Sequence, residues 1–223
     1  MNFIEAPSPN FNDRKKPVSL IVLHYTGMKT GRAALDRMRD PAAQVSAHYM
    51  VEEDGRIFRL VDEEKRAWHA GVSEWAGETD INSISIGIEI VNGGHDYGLP
   101  DYPAVQIDAV ISLTKEIANR RSIPVHRVVG HSDIAPGRKQ DPGEKFPWRQ
   151  LAGAGCAIWP AGATRPSTDI EADLVSIGYG RDADHQQVLR AFQRRFRPGT
   201  VDGVVDRETS ALIAAVARLS RTP

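Results

Sequence analysis

Three things are scarce in this sequence, and each scarcity excludes something. A single cysteine, Cys156, in 223 residues excludes an intramolecular disulfide framework. It lies in LAGAGCAIWP, with no histidine or basic residue near it in sequence to activate a thiolate, and reads as a packed thiol. Charge of one sign is not in excess: 28 Lys and Arg balance 29 Asp and Glu, for a formal charge of -1. No bulk attraction to nucleic acid or acidic membranes follows, and no obligate protein partner is evident. Long apolar runs are missing too. No stretch has the length of a membrane span, and MNFIEAPSPNFNDRKKP at the start contains no signal-peptide core. As written the chain is expected in the cytoplasm, or in the periplasm or envelope if an export signal was removed. What remains is 41% hydrophobic and 26% charged, enough apolar material for one large domain or two unequal ones.

VSLIVLH, residues 18–24, reads as a buried strand that ends at the polar HYTG and so places His24 at a strand end. A short helix is expected around Arg32 to Arg39. HYMV and RIFRLV then form a hairpin about Asp54-Gly55. ISIGIEIV alternates: Ile84, Ile86, Ile88 and Ile90 point one way, and Ser85, Gly87, Glu89 and Val91 the other. Glu89 therefore shares its face with small residues, as a carboxylate facing a cleft requires. The isoleucine face needs a helix against it. Pro103 to Arg121 supplies one, with Ala104, Ile107, Ile111, Thr114 and Ile117 at helical spacing and Asp101 placed to cap it. The strand VHRVVG then delivers His131 into a long Gly/Pro-containing loop. The expectation is an α/β domain over 1–160 with a mixed central sheet flanked by helices. A linker follows at 161–168, and a small three-helix domain at 169–223. Its helices present Val188, Leu189, Phe192 and Phe196 on one face, and Leu212, Ala215, Val216 and Leu219 on another, around the Asp202-Gly203 turn.

His24, His131 and Asp141 are the best-placed metal-ligand candidates. A catalytic zinc takes three protein ligands, typically imidazole nitrogens and a carboxylate oxygen, and leaves a fourth position to water. The set works if the loop from His131 to Asp141 folds back, which Ala135-Pro136-Gly137 and Pro142-Gly143 allow. Asp133 competes with Asp141 as the carboxylate, and His48, His69 and His126 are spare candidates.

PSPNFNDR, IVLHYTG, SAHYMVEEDG, AWHAG, NSISIGIEIVN and VVGHSDIAPGRKQDPGEKFPW together resemble the type 2 N-acetylmuramoyl-L-alanine amidases, the zinc amidases related to phage amidase-lysozymes and peptidoglycan-recognition proteins. VLRAFQRRFRPGTVDGVVDRETSALIAAV resembles the peptidoglycan-binding domain that some bacterial members carry. The resemblance implies one Zn²⁺ held by His24, His131 and Asp141, with Asp141 standing where recognition proteins and phage relatives have cysteine. It also implies that Glu89 is the general base and Lys139 the oxyanion helper. His48, Tyr49, Trp68, His69 and Asn82 are implied to shape the substrate groove, and Arg138 to meet a stem-peptide carboxylate. Phage relatives place a catalytic tyrosine where this chain has Ala47, so that helper is absent. The implied partner is peptidoglycan or its muropeptides, intact or 1,6-anhydro, in cell-wall turnover or recycling. Two rival readings stay open: a recognition protein that binds muropeptides without cutting, and a zinc peptidase that cuts within the stem peptide.

Overall fold

A computed structural model describes residues 1–162 and 165–221; positions 163 and 164 of the expected linker lie outside the described residues. Six strands form the main sheet in the order β1 (Phe3–Glu5), β5 (Ile57–Arg59), β4 (Tyr49–Val51), β7 (Ser85–Ile90), β3 (Leu20–Tyr25) and β8 (Val128–Gly130). All neighbours are parallel except β4 and β5, which form the hairpin turned at Gly55, where φ is +85°. A second, antiparallel pair joins β2 (Phe11–Asp13) to β6 (Lys65–Ala67). The helices are α1 (Gly31–Arg39), α2 (Ile81–Ile84), α3 (Ala104–Arg121), α4 (His131–Ile134), α5 (Trp148–Gly153), α6 (Ile170–Ile177), α7 (His185–Phe196) and α8 (Arg207–Ser220). This is the expected mixed α/β architecture with helices on both faces.

The central strands are buried on both faces, so alternation sorts their side chains between two cores. Ile21 and Leu23 of β3 join Ile86, Ile88 and Ile90 of β7 under α3, which contributes Ile107, Val110, Leu113 and Ile117. Leu20 and Val22 point the other way and pack with Val129, Ile134, Leu189, Phe192, Ile213 and Val216. The C-terminal helices thus share one continuous core with the sheet. Each fully buried Leu or Ile in such a core contributes about 1.5–3 kcal/mol.

Several local expectations need correction. Ile84 closes the one-turn helix α2 and packs in the core on the C-terminal side, because the strand begins only at Ser85. Asp101 does not cap α3. The N-cap is Pro103, while Asp101 is exposed and pairs with Lys145 at 3.1 Å. His131 opens the short helix α4 directly after β8, where a loop was expected. On α8, Ala215 and Val216 are buried and Leu212 packs on the core as expected, but Ile213 and Ala217 are buried as well and Leu219 is exposed.

Candidate metal centre and cleft

Strand register builds the site. His24 is the last buried residue of β3 and pairs with Glu89 on the parallel neighbour β7, so both side chains leave the same sheet face at the strands' carboxyl ends. On the other side β8 ends at Gly130 and α4 begins with His131. The chain then folds back as the spacing allowed, and the Ser132 N–H donates to the Asp141 carbonyl at 2.9 Å. The result is a triangle: His24 Nδ1 to His131 Nδ1 is 2.9 Å, and each lies 3.0 Å from Asp141 Oδ2.

The outer hydrogen bonds fix which atoms of that triangle carry lone pairs. His131 Nε2 donates to the Ala70 carbonyl at 3.0 Å, leaving Nδ1 bare. His24 Nε2 donates to His69 Nδ1 at 3.0 Å; His69 Nε2 in turn donates to Ser85 Oγ at 3.1 Å, and Ser85 donates to the Ile81 carbonyl at 2.6 Å. The imidazole hydrogens of His24, His69 and His131 each have an outward acceptor. Two nitrogen lone pairs and a carboxylate oxygen therefore converge inside, and only a cation relieves them. A proton would relieve two of the three atoms, whereas the full donor set would suit a metal ion. Burial holds His24 down to about 4 and His69 well below its ordinary value, so both imidazoles are neutral at neutral pH; ligation requires this of His24, and His69 can then accept the His24 hydrogen. Burial works against the Asp141 carboxylate, but the neighbouring His131 and His24 outweigh it and keep Asp141 well below the carboxylate range.

A cleft of about 470 Å³ opens onto this triangle, lined among others by Trp68, His69, Glu89, Arg138 and Lys139. Glu89 Oε2 is buried and has no hydrogen-bond partner among the described residues. Burial, then the charge on Asp141, raises its carboxyl well above the ordinary value, while Lys139 pulls it down. The Lys139 charge also lowers His24, and Lys139 lines the same cleft. Arg138 spends Nε and one Nη on the Val72 and Ala70 carbonyls and also lines the cleft.

Three residues expected at the groove do not line it. Tyr49 pairs with Ile88 in register, so it faces the α3 side of the sheet, where its hydroxyl donates to Glu63 Oε1 at 2.8 Å. His48 is fully buried and accepts the Gly87 N–H on Nδ1 at 2.9 Å. Asn82 accepts the His69 and Ala70 N–H groups on Oδ1 at 3.0 and 2.8 Å, which sets the backbone that His131 bonds to. Asp133 turns away from the triangle, toward Gly130, Tyr179 and Arg195. Sequence reasoning missed Ser85, the Ala70 carbonyl and the reason for Gly87. A Cβ on Gly87 would come within 2.5–2.7 Å of the His69 ring. Gly87→Ala is therefore expected to cost about 1–3 kcal/mol in urea unfolding, whereas Gly153→Ala, which meets nothing within 4 Å, is neutral or stabilising. Equal stability of the two variants would refute close packing of His69 on the strand.

Two imidazole nitrogens, a carboxylate oxygen, an unpartnered acid and a lysine around one cleft define a centre of the kind found in metal-dependent hydrolases. The comparisons carry this further. The chain belongs to the N-acetylmuramoyl-L-alanine amidase family, which matches residues 14–144, and it is a hydrolase. It is 38% identical over 230 residues to the N-acetylmuramoyl-L-alanine amidase AmiD of Escherichia coli, covering 89% of this chain and 82% of that one. It is 36% identical over 166 residues to the 1,6-anhydro-N-acetylmuramyl-L-alanine amidase AmpD of Haemophilus influenzae, covering 66% of this chain and 88% of that one. The solved complex of E. coli AmiD with the substrate anhydro-N-acetylmuramic acid-L-Ala-D-gamma-Glu-L-Lys superposes with a TM-score of 0.81 at 36% identity, covering 91% of this chain and 89% of that one. Among the described residues no helix is long and apolar enough to cross a membrane.

Proposed function

We propose that the protein hydrolyses the amide between the lactyl group of N-acetylmuramic acid and L-alanine, with Zn²⁺ held by His24 Nδ1, His131 Nδ1 and Asp141, and that the 1,6-anhydro sugar is among its substrates. The convergence of three lone-pair atoms beside an unpartnered carboxylate carries this reading. Zinc bound there supplies an acidified water and Lewis-acid polarisation of the scissile carbonyl. Glu89 Oε2 accepts the proton of the attacking water and returns it to the departing nitrogen of L-alanine, so one water is consumed and no other reactant is needed. Lys139 offsets negative charge developing on the carbonyl oxygen. Trp68 and His69 shape the cleft wall, and Arg138 takes a stem-peptide carboxylate. The inclusion of the anhydro sugar draws on what AmpD and the AmiD complex are named for.

Mass spectrometry of muropeptides, intact and anhydro, incubated with the protein and zinc and again after chelation tests this. The expected product is a free stem peptide with an L-alanine amino terminus, formed only with zinc. Cleavage inside the stem peptide would make the protein a peptidase, and binding without cleavage would make it a recognition protein.

For residues 169–223 we propose a second contact with polymeric wall, on the resemblance of that segment to peptidoglycan-binding domains. Deleting them does not test it, because a chain stopped near Pro160 would bare the shared core. Pelleting of the full chain with insoluble sacculi does, if excess soluble muropeptide fills the cleft: pelleting should persist, and complete release would remove the second contact.

A further inference from the structure

The segment from His131 to Trp148 carries two of the three converging ligand atoms and Lys139, and α7 packs against it at several points. Asp133, two residues after His131 on α4, is 1% exposed. Its Oδ2 accepts the Gly130 N–H at 2.8 Å and Arg195 Nη1 at 2.8 Å, and its Oδ1 accepts the Tyr179 hydroxyl at 2.9 Å. Arg195, on α7, is 4% exposed; its second Nη donates to the Val128 carbonyl of β8 at 3.0 Å, and its guanidinium lies 4.1 Å from the Trp148 ring centroid. Two turns earlier, Gln187 packs on Gly137 so closely that a Cβ there would come within 2.9 Å of its side chain. A neighbouring loop is clasped as well: the Glu74 N–H donates to the Ile134 carbonyl at 2.8 Å, and the Ala76 N–H to the Gly178 carbonyl at 2.7 Å. That loop follows Ala70, whose carbonyl holds His131 Nε2.

We propose that the C-terminal helices are a working part of the metal centre: Arg195 is a positioning residue that, through Asp133, holds α4 and with it His131 in the orientation for ligation. A module that served only as an anchor would need a tether and a polar contact with the hydrolase. This one instead places a buried ion pair two residues from a ligand. A buried pair is a poor source of stability, since apolar side chains of the same size serve as well. What the pair supplies is direction. The planar fork of Arg195 meets the Asp133 carboxylate and the Val128 carbonyl together while stacking on Trp148, which fixes the end of β8 against the start of α4.

The inference rests on the reading of His24, His131 and Asp141 as a zinc site, and coupling between sites is reciprocal: if the packing of α7 raises zinc affinity, zinc must tighten α7. Amide exchange of the full chain, metal-free and with zinc, is expected to slow in α7, which contains no ligand. Chelator competition should give a zinc Kd raised about tenfold or more for Arg195→Met and for Asp133→Asn/Arg195→Met, the second removing both charges so that neither is left buried alone. Arg197→Met, which breaks pairs with Asp206 and Glu208 at the surface of the same module, should leave the Kd within about twofold of the unsubstituted chain. Exchange in α7 indifferent to zinc, or a wild-type Kd in a folded Arg195 variant, would overturn the proposal. The exchange comparison needs no variant to fold. No zinc binding by the unsubstituted chain would sink the metal-site reading itself.

Discussion

Glu89→Gln is expected to lower kcat by about 10²–10⁴-fold, the range for loss of a general base, and at the same time to raise the melting temperature of the metal-free protein at neutral pH. The two effects have one origin. Glu89 Oε2 is buried without a partner, and burial raises its carboxyl well above the ordinary 4.5 of a glutamate. An acid whose folded pKa is raised contributes stability that is fully present below its unfolded value and is lost as pH rises through the folded one. At neutral pH the unfolded chain therefore ionises this side chain freely, while the folded chain resists. Glutamine has the same shape and no charge to bury. The melting-temperature gap between variant and wild type should close below about pH 4.5 and open as pH rises. Activity has the opposite dependence: the base works only when deprotonated, so wild-type kcat/KM falls as pH drops through the raised value. Thermal unfolding and initial rates across pH check both. A variant no more stable than wild type at pH 7 would mean that the carboxylate is solvated, and near wild-type turnover would remove it from the reaction.

Elements that announce themselves by period were legible. VSLIVLH and ISIGIEIV became the adjacent parallel strands β3 and β7, and the placement of Glu89 beside Gly87 and Ser85 followed from alternation alone. Alternation also held information that the expected groove list did not use. His48 immediately precedes β4 with its N–H already bonded to the Gly87 carbonyl, so consecutive side chains there face opposite sides: once His48 lies on the Glu89 side, Tyr49 must face α3. The convergence of His24, His131 and Asp141 was legible because these residues sit at chain features, a strand end and a Pro/Gly turn. The hydrogen-bond acceptors that orient it were not. Ala70 acts through a backbone carbonyl, which no residue type marks, and Ser85 acts through His69, which reaches it across a packed glycine. The pair of Asp133 and Arg195 spans 62 positions and carries no local signature. Asp133 was thus read as a rival ligand, when its carboxylate is fully engaged with Gly130, Tyr179 and Arg195.

Zinc should raise the melting temperature of the metal-free protein by roughly 8–16 °C when present at about a thousand times its Kd, where binding to the folded state alone contributes about 4 kcal/mol and each kcal/mol moves a chain of this size by about 2–4 °C. The shift measures relief of the three lone pairs that converge within 2.9–3.0 Å. Asp141→Asn separates that relief from general stability. The amide keeps the shape of the carboxylate and is a poor ligand, but its N–H can donate to an imidazole Nδ1, so the variant supplies from within part of what the metal supplies from outside. The metal-free variant loses the stability that a carboxyl held below its ordinary range contributes at neutral pH, so it is expected to melt somewhat below metal-free wild type, to respond little to zinc, and to release no stem peptide detectable by mass spectrometry. His131→Ala cannot make this distinction, because it also leaves the Ala70 carbonyl without its donor and opens a cavity at the head of α4. An Asp141→Asn protein that still gained the full zinc shift would move the metal off this triangle, and the tautomer chain through His69 and Ser85 would then serve packing alone.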